Sequence, residues 1–317
     1  MADTRHSGRL AGTAIVVLGV AGIFLYLGGW FNTEALTPPR FADGFERADG
    51  TFSDFRLNHA KGVCVAGSFE SNGMGTRLSK AVVFKAGRVP VIGRFSFAGG
   101  NPYIADGPEL VRGFGLLFKL PDGEEWRTAM INTPVFGVHT PEAFFDRLFA
   151  MQPDPKTGKP DPEKMARFLA SHSETVKANK IIQSHPPSSA FNKSTFYGLN
   201  AFWFVNESGI STPVRWSMVP EQPFAAADTA AAQGDKNYLF DALIATIHQH
   251  PLQWHLVITI GQPDDPTKRC HHPLARRERV VGCGDPDARS GGERLQRPLS
   301  RHQCRSVGFA GRNSAVR

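Results

Sequence analysis

Hydrophobic and polar positions divide the chain into three regimes. Residues 10–31 form an uncharged run rich in Ile, Val, Leu and Phe; residues 63–260 alternate short apolar segments with turn clusters; after residue 267 apolar residues thin out and arginine becomes common. The first run is 22 residues long, and a bilayer-spanning helix needs about 20. Arg5 and Arg9 precede it and favour a cytoplasmic N-terminus. No A-x-A-like cleavage site follows, so the run predicts an uncleaved transmembrane anchor with the next domain outside.

Eight segments between 63 and 260 read as strands: 63–70, 81–84, 89–97, 114–120, 126–132, 201–205, 213–219 and 254–260. Ser71-Asn72-Gly73, Pro121-Asp122-Gly123 and Asn206-Glu207-Ser208-Gly209 supply turns between several of them. Close spacing predicts antiparallel pairing, and eight strands can close into a barrel whose interior holds side chains or one ligand. Helices interrupt the pattern. Thr140-Pro141 gives a cap and a first-turn proline ahead of Phe145, Leu148 and Phe149, Asp161-Pro162 opens a second helix, and 237–248 sets Phe240, Leu243, Ile244 and Ile247 on one side. The expected class is α+β: an antiparallel eight-stranded β-barrel with flanking helices, preceded by one N-terminal transmembrane helix. The corresponding plan is a cytoplasmic N-terminus at 1–9, an anchor at 10–31, a linker at 32–45, a barrel body at 46–266 and a basic tail at 267–317.

Charge changes the picture only in the tail. The net charge is +7, yet residues 268–317 hold twelve Lys and Arg against four Asp and Glu, leaving a nearly neutral body. A nucleic-acid partner, which needs basic residues gathered on the folded domain, is therefore not expected. Cysteine divides the same way: Cys64 alone lies in the body and cannot form a disulfide within it, while Cys270, Cys283 and Cys304 lie in the tail. With no Ile, Tyr or Trp and Phe309 as its only Phe, the tail lacks material for a core. It reads as disordered or as a change of reading frame. Cys270-His271-His272 with Cys283 matches no zinc spacing, and Gly113-Phe114-Gly115 reads as a strand position that tolerates small residues.

The informative segment is Phe55-Arg56-Leu57-Asn58-His59-Ala60-Lys61-Gly62, followed downstream by Arg94-Phe95-Ser96 and Asn132-Thr133-Pro134-Val135-Phe136. Taken one at a time, these residues suit ordinary roles: His59 a turn or core histidine, Asn132 a strand-end residue beside a proline turn, Ser96 a strand hydroxyl, Arg56 and Arg94 solvated charges, Phe145 a core aromatic. In this order and spacing they resemble the catalase superfamily, particularly its small catalase-related peroxidases, over about residues 41–266. The resemblance implies a barrel of the catalase type and haem as cofactor. His59 becomes the distal histidine, Asn132 the distal asparagine, Ser96 the hydroxyl that orients the histidine, Arg56 and Arg94 partners of the haem propionates, and Phe145 a distal aromatic. Such types suit peroxide cleavage, because a neutral imidazole can accept and return one proton while an amide donates a hydrogen bond without adding charge.

By the same resemblance the chain is a haem peroxidase in a bacterial-type inner membrane, its catalytic domain on the periplasmic or extracytoplasmic side, reducing hydrogen peroxide or organic hydroperoxides with an unidentified electron donor. Two departures qualify this. Gly137 stands where the family has a second Phe, which opens the distal wall toward bulkier hydroperoxides. The family ligates iron through a tyrosine near its C-terminus in an R-x-x-x-Y arrangement, but Tyr26, Tyr103, Tyr197 and Tyr238 are the only tyrosines and none has that setting. The proximal metal ligand is therefore unassigned, and its absence leaves open whether the chain as written is active. A membrane-tethered, non-catalytic barrel that binds an apolar ligand or partner stands as the alternative, as does a haem-dependent rearrangement of fatty hydroperoxides.

Overall fold

The structure, a computed structural model, describes residues 3–27, 35–107, 110–154, 156–227, 235–262, 265, 280–283 and 293–298. It divides into two units, residues 1–43 and 44–317. The first holds helix α1 (Asp3–Leu27) and the start of α2 (Pro38–Asp49). The described helical part of the uncharged run, from Leu10 to Leu27, spans about 27 Å at 1.5 Å per residue, short of the about 30 Å hydrocarbon core. Among the described residues no helix is long and apolar enough to cross a membrane. The expected transmembrane helix, and the localisation built on it, thus lack structural support.

The second unit is built on antiparallel strands: β1 (Gly62–Ser71), β2 (Gly87–Phe97), β3 (Arg112–Lys119), β4 (Glu125–Ile131), β5 (Phe196–Tyr197), β6 (Phe202–Val205), β7 (Ser211–Pro220), β8 (Leu252–Ile260), β9 (Val280–Cys283) and β10 (Glu293–Pro298). They run in the order β6-β7-β5-β4-β3-β2-β1-β10-β8-β9, and a further β7–β8 pairing closes eight of them into a ring. The antiparallel eight-stranded barrel read from the sequence is present, with two exchanges of membership. The expected strand 201–205 is β6, which pairs with β7 outside the ring, and β5, which was not expected, stands inside it. Segment 81–84 is a 3₁₀ turn, with Phe84 N–H donating to the Ala81 carbonyl at 3.1 Å, rather than a strand. A four-residue apolar run signals burial, which Val83 and Phe84 achieve, without fixing the backbone. In its place β10, from the tail expected not to pack, pairs with both β1 and β8. Cys64 is disulfide-bonded.

Period-two alternation sorts the strands into an inner and an outer face. Phe95, Phe97, Phe114, Phe118, Phe196 and Trp254 are fully buried in one cluster. Phe95 stacks on its cross-strand partner Phe114 at 4.3 Å, and Trp254 sits 5.7 and 5.5 Å from the two rings. These side chains fill the centre, which moves ligand chemistry to the outer face. Helix α6 (Tyr238–Gln249), predicted at 237–248, joins the same cluster through Leu239, Phe240, Leu243 and Ile247. Helices α3 (Pro141–Ala150) and α4 (Pro162–Ser171) begin where their caps predict, Thr140 Oγ1 accepting from Ala143 N–H at 3.1 Å and Asp161 Oδ1 from Glu163 N–H at 2.9 Å. Helix α5 (Ser173–Gln183) follows α4 almost directly.

Candidate active site

The outer face of β1–β5 carries one transverse row. Gly62 pairs with Ser96, Ser96 with Gly113, Gly113 with Ile131, and Ile131 with Tyr197. Directly opposed residues in a sheet share a face, so this row forms the floor against which the segment before β1 folds back. His59 lies on that floor. Its Nδ1 meets Ser96 Oγ at 3.0 Å, as the orienting role expected of Ser96 requires. A Cβ on Gly113 would come within 2.9 Å of His59 Cε1 and Nδ1 and 2.8 Å of Ser96 Oγ. Gly113 is therefore the seat of the imidazole, a role that its reading as a tolerant strand position missed.

The His59 backbone has φ 54°, in the left-handed region, where a side chain costs about 1–2 kcal/mol. Neighbouring contacts hold it there. Asn58 Oδ1 accepts from the N–H of His59 at 2.8 Å and of Gly99 at 2.7 Å, and Ala60 N–H donates to the Gly99 carbonyl at 3.0 Å. Two residues on, Lys61 is buried and spends its ammonium on Asp106 Oδ1 at 2.6 Å and on the carbonyls of Ile104 and Lys236 at 2.8 and 2.9 Å. The other Asp106 oxygen accepts from Leu239 and Phe240 N–H at the start of α6. The histidine loop is thereby pinned to β2 on one side and to α6 on the other.

Asn132 ends β4 one position past Ile131. Its Oδ1 accepts from Arg112 N–H at 2.9 Å, while its own N–H donates to the Arg112 carbonyl at 3.0 Å. An N–H donor demands the amide oxygen, so the Asn132 NH₂ is left to donate elsewhere. Arg112 is itself locked: it is fully buried, and donates to Ser188 Oγ and Ser194 Oγ at 3.0 and 3.2 Å and to the Ser188 carbonyl at 2.8 Å. Because Arg112 precedes Gly113, the fixed amide and the seated imidazole lie at the same end of β3.

Electrostatics keep His59 neutral. Burial, then Arg94, then Arg56 push its pKa down to about 4. Arg94 is 3% exposed, donates to the Ala60 carbonyl at 3.3 Å, and is pushed down to about 9 by burial and by Arg56. Arg94 and Arg56 set two guanidiniums near each other, a pair whose geometry would suit the carboxylates of a haem. The opposite face of a haem does not find its ligand so readily. Tyr103 is 66% exposed against Phe52 and Phe55, Tyr197 lies on the same floor as Ser96, and Tyr238 opens α6. The described residues thus fit one face of a haem, and the axial ligand stays unassigned. Phe145, expected on the distal side, lies on α3, where it packs edge-on against Phe149 at 5.2 Å beside Gly44 of α2.

Comparison with known proteins agrees with this geometry. The family model for catalase matches residues 53–275. The catalase-related peroxidase of Synechococcus elongatus is 37% identical over 238 residues, 74% of this chain and 70% of that protein. That of Mycolicibacterium paratuberculosis is 30% identical, over 73% of this chain and 74% of its own length. Among solved structures, catalase A from Saccharomyces cerevisiae superposes with a TM-score of 0.68 at 18% identity, covering 84% of this chain and 57% of that one. A fungal catalase gives the same score over 83% and 54%; the chain thus spans about half the length of the solved catalases it matches. The chain belongs to the catalase family.

Proposed function

We propose that this protein is a haem-dependent peroxidase that reduces hydrogen peroxide or organic hydroperoxides. The overall change is R–O–O–H plus two electrons and two protons giving R–O–H and water, the electrons coming from an external donor. One observation carries the reading: a neutral imidazole with Nδ1 committed to Ser96 shares its site with an amide whose oxygen is committed to Arg112. His59 Nε2 is left to take a proton from the near peroxide oxygen and return it to the far one, and Asn132 Nδ2 to donate a hydrogen bond to the same molecule. Ser96 holds the ring and Gly113 gives it room. Arg56 and Arg94 would hold the haem carboxylates, with guanidinium geometry suited to bidentate pairing. Haem, when bound, supplies the redox chemistry at its iron.

The test is a haem titration of the purified chain followed by its Soret band, and then peroxide consumption by the loaded protein. Saturable binding, weakened in Arg56→Ala and Arg94→Ala, with peroxide loss dependent on His59, is the expected result. Absence of saturable binding, or consumption indifferent to His59, would overturn the reading.

A further inference from the structure

We propose that Asp49 is a positioning residue for His59, acting through the turn at Gly99 and Gly100; this rests on the peroxidase reading above. Asp49 is the last residue of α2, where Gly50, at φ 93°, ends the helix and donates its N–H to the Glu46 carbonyl at 2.9 Å. A carboxylate there faces the negative end of the helix dipole, so α2 itself does not favour an acid at this position. Its use lies elsewhere in the chain: Asp49 Oδ2 accepts the Gly100 N–H at 2.6 Å. Gly100 is buried, and a Cβ on it would come within 2.5 Å of the Leu57 carbonyl oxygen and 3.0 Å of Asp49 Cβ and Oδ2. The backbone at Gly100 is thus sandwiched between the end of α2 and the segment that leads into His59.

From Gly100 the connection to the histidine passes through one residue. Gly99, at φ 107°, gives its N–H to Asn58 Oδ1 at 2.7 Å and takes the Ala60 N–H on its carbonyl at 3.0 Å, so it grips the residues on both sides of His59. The same Asn58 oxygen accepts the His59 N–H at 2.8 Å. A left-handed backbone such as that of His59, φ 54°, persists only where its surroundings over-determine it. The turn that does so has an anchor at each end: Ala98 N–H on the Val111 carbonyl at 2.8 Å, and Gly100 N–H on Asp49. A charged acceptor on a buried N–H makes a strong hydrogen bond, and its removal leaves that donor unsatisfied. Relief comes by moving the turn, which carries Asn58, Ala60 and the imidazole away from Ser96 and Gly113. The charges that act on the His59 ring are those of Arg94 and Arg56, so the influence of Asp49 runs through the backbone rather than through its field.

Asp49→Ala and Asp49→Asn are each made in the wild-type chain and in His59→Ala, and compared in the haem-loaded protein for peroxide cleavage. Asp49→Ala should slow cleavage about ten- to hundred-fold in the wild-type background, the effect of a small misplacement, with haem affinity by the Soret band unaltered. Asp49→Asn keeps an oxygen for the Gly100 N–H and should recover most of the rate. In the His59→Ala background Asp49→Ala should cost nothing further, because the two residues act as one unit. NMR of labelled histidine in the haem-free chain gives a second readout. His59 should titrate above about 4 in Asp49→Ala as its ring leaves the dry seat, whereas loss of a negative charge by itself would lower it. Equal rate losses with and without His59, a loss just as large in Asp49→Asn, or an unmoved His59 titration would overturn the proposal. If the chain cleaves no peroxide, the peroxidase reading falls and the titration still decides: a rise in Asp49→Ala reversed in Asp49→Asn supports the positioning role, and no rise sinks it.

Discussion

Gly113→Ala isolates the seating of the imidazole. Alanine adds one methyl group that starts 2.8 Å from Ser96 Oγ and 2.9 Å from two atoms of the His59 ring. Ordinary contact distances lie near 3.5–4 Å, so the ring must retreat by roughly 0.5–1 Å, or the 3.0 Å contact with Ser96 must break. The backbone is no obstacle: Gly113 is not among the residues with positive φ, and alanine in a strand is ordinarily about 0.5–1 kcal/mol better than glycine. Overpacking works against that gain at about 1–3 kcal/mol. Stability should therefore fall by no more than about 2.5 kcal/mol, while a misplacement near 1 Å slows catalysis about a hundred-fold. The assay is peroxide consumption by the haem-loaded variant, alongside NMR titration of labelled histidine and urea unfolding. His59 should titrate above its value of about 4 as the ring is driven from its dry seat. Unaltered turnover together with an unaltered His59 titration would refute the placement of the ring against Gly113.

His59→Ala should keep haem binding and lose about a hundred- to ten-thousand-fold in peroxide cleavage, and Asn132→Ala should lose less; stopped-flow mixing with peroxide measures both, and an unaltered rate in His59→Ala at verified haem occupancy would remove the histidine from the mechanism. The His59 pKa of about 4 lies below its ordinary 6.5, so between those values the unfolded chain binds a proton that the folded chain refuses. Its contribution to stability, about 3 kcal/mol, is full above pH 6.5 and is lost as pH falls toward 4. Peroxide cleavage should stay level above pH 5 and drop through pH 4, and an acid limb centred near 6.5 would contradict the burial argument. Lys61→Met leaves Asp106 charged and buried, which should destabilise by about 3–5 kcal/mol. Lys61→Met with Asp106→Leu should recover part of that loss in urea unfolding, and a double variant less stable than the single one would show that the ion pair is not the cause.

The sequence carried the barrel because alternation of apolar residues is itself the instruction for a two-faced strand: Phe95 and Phe97 inward, Arg94 and Ser96 outward, in one segment. Local chemistry likewise fixed the starts of α3 and α4, since Thr140 and Asp161 satisfy N–H groups within three residues of themselves. The proposed roles of His59, Ser96 and Asn132, and those of Arg56 and Arg94, come only from the order of their motifs. Tertiary structure decided the rest. Gly113 looks inert in sequence because its function is an absence, the missing methyl that lets a ring from another segment lie flat. Lys61, Asp106 and the first turn of α6 are 45 and 133 residues apart in their contacts, and nothing local to any of them names its partner. The 81–84 turn and the β10 strand went unread for a related reason: a short apolar run signals burial without direction, and an edge of unpaired β1 backbone accepts whatever chain reaches it, apolar or not. Sequence sets which face of each element is dry. Only the closed sheet determines which buried polar groups meet there, because the hydrogen bonds that fix Asn132, His59 and Lys61 run between strands and helices that composition cannot order.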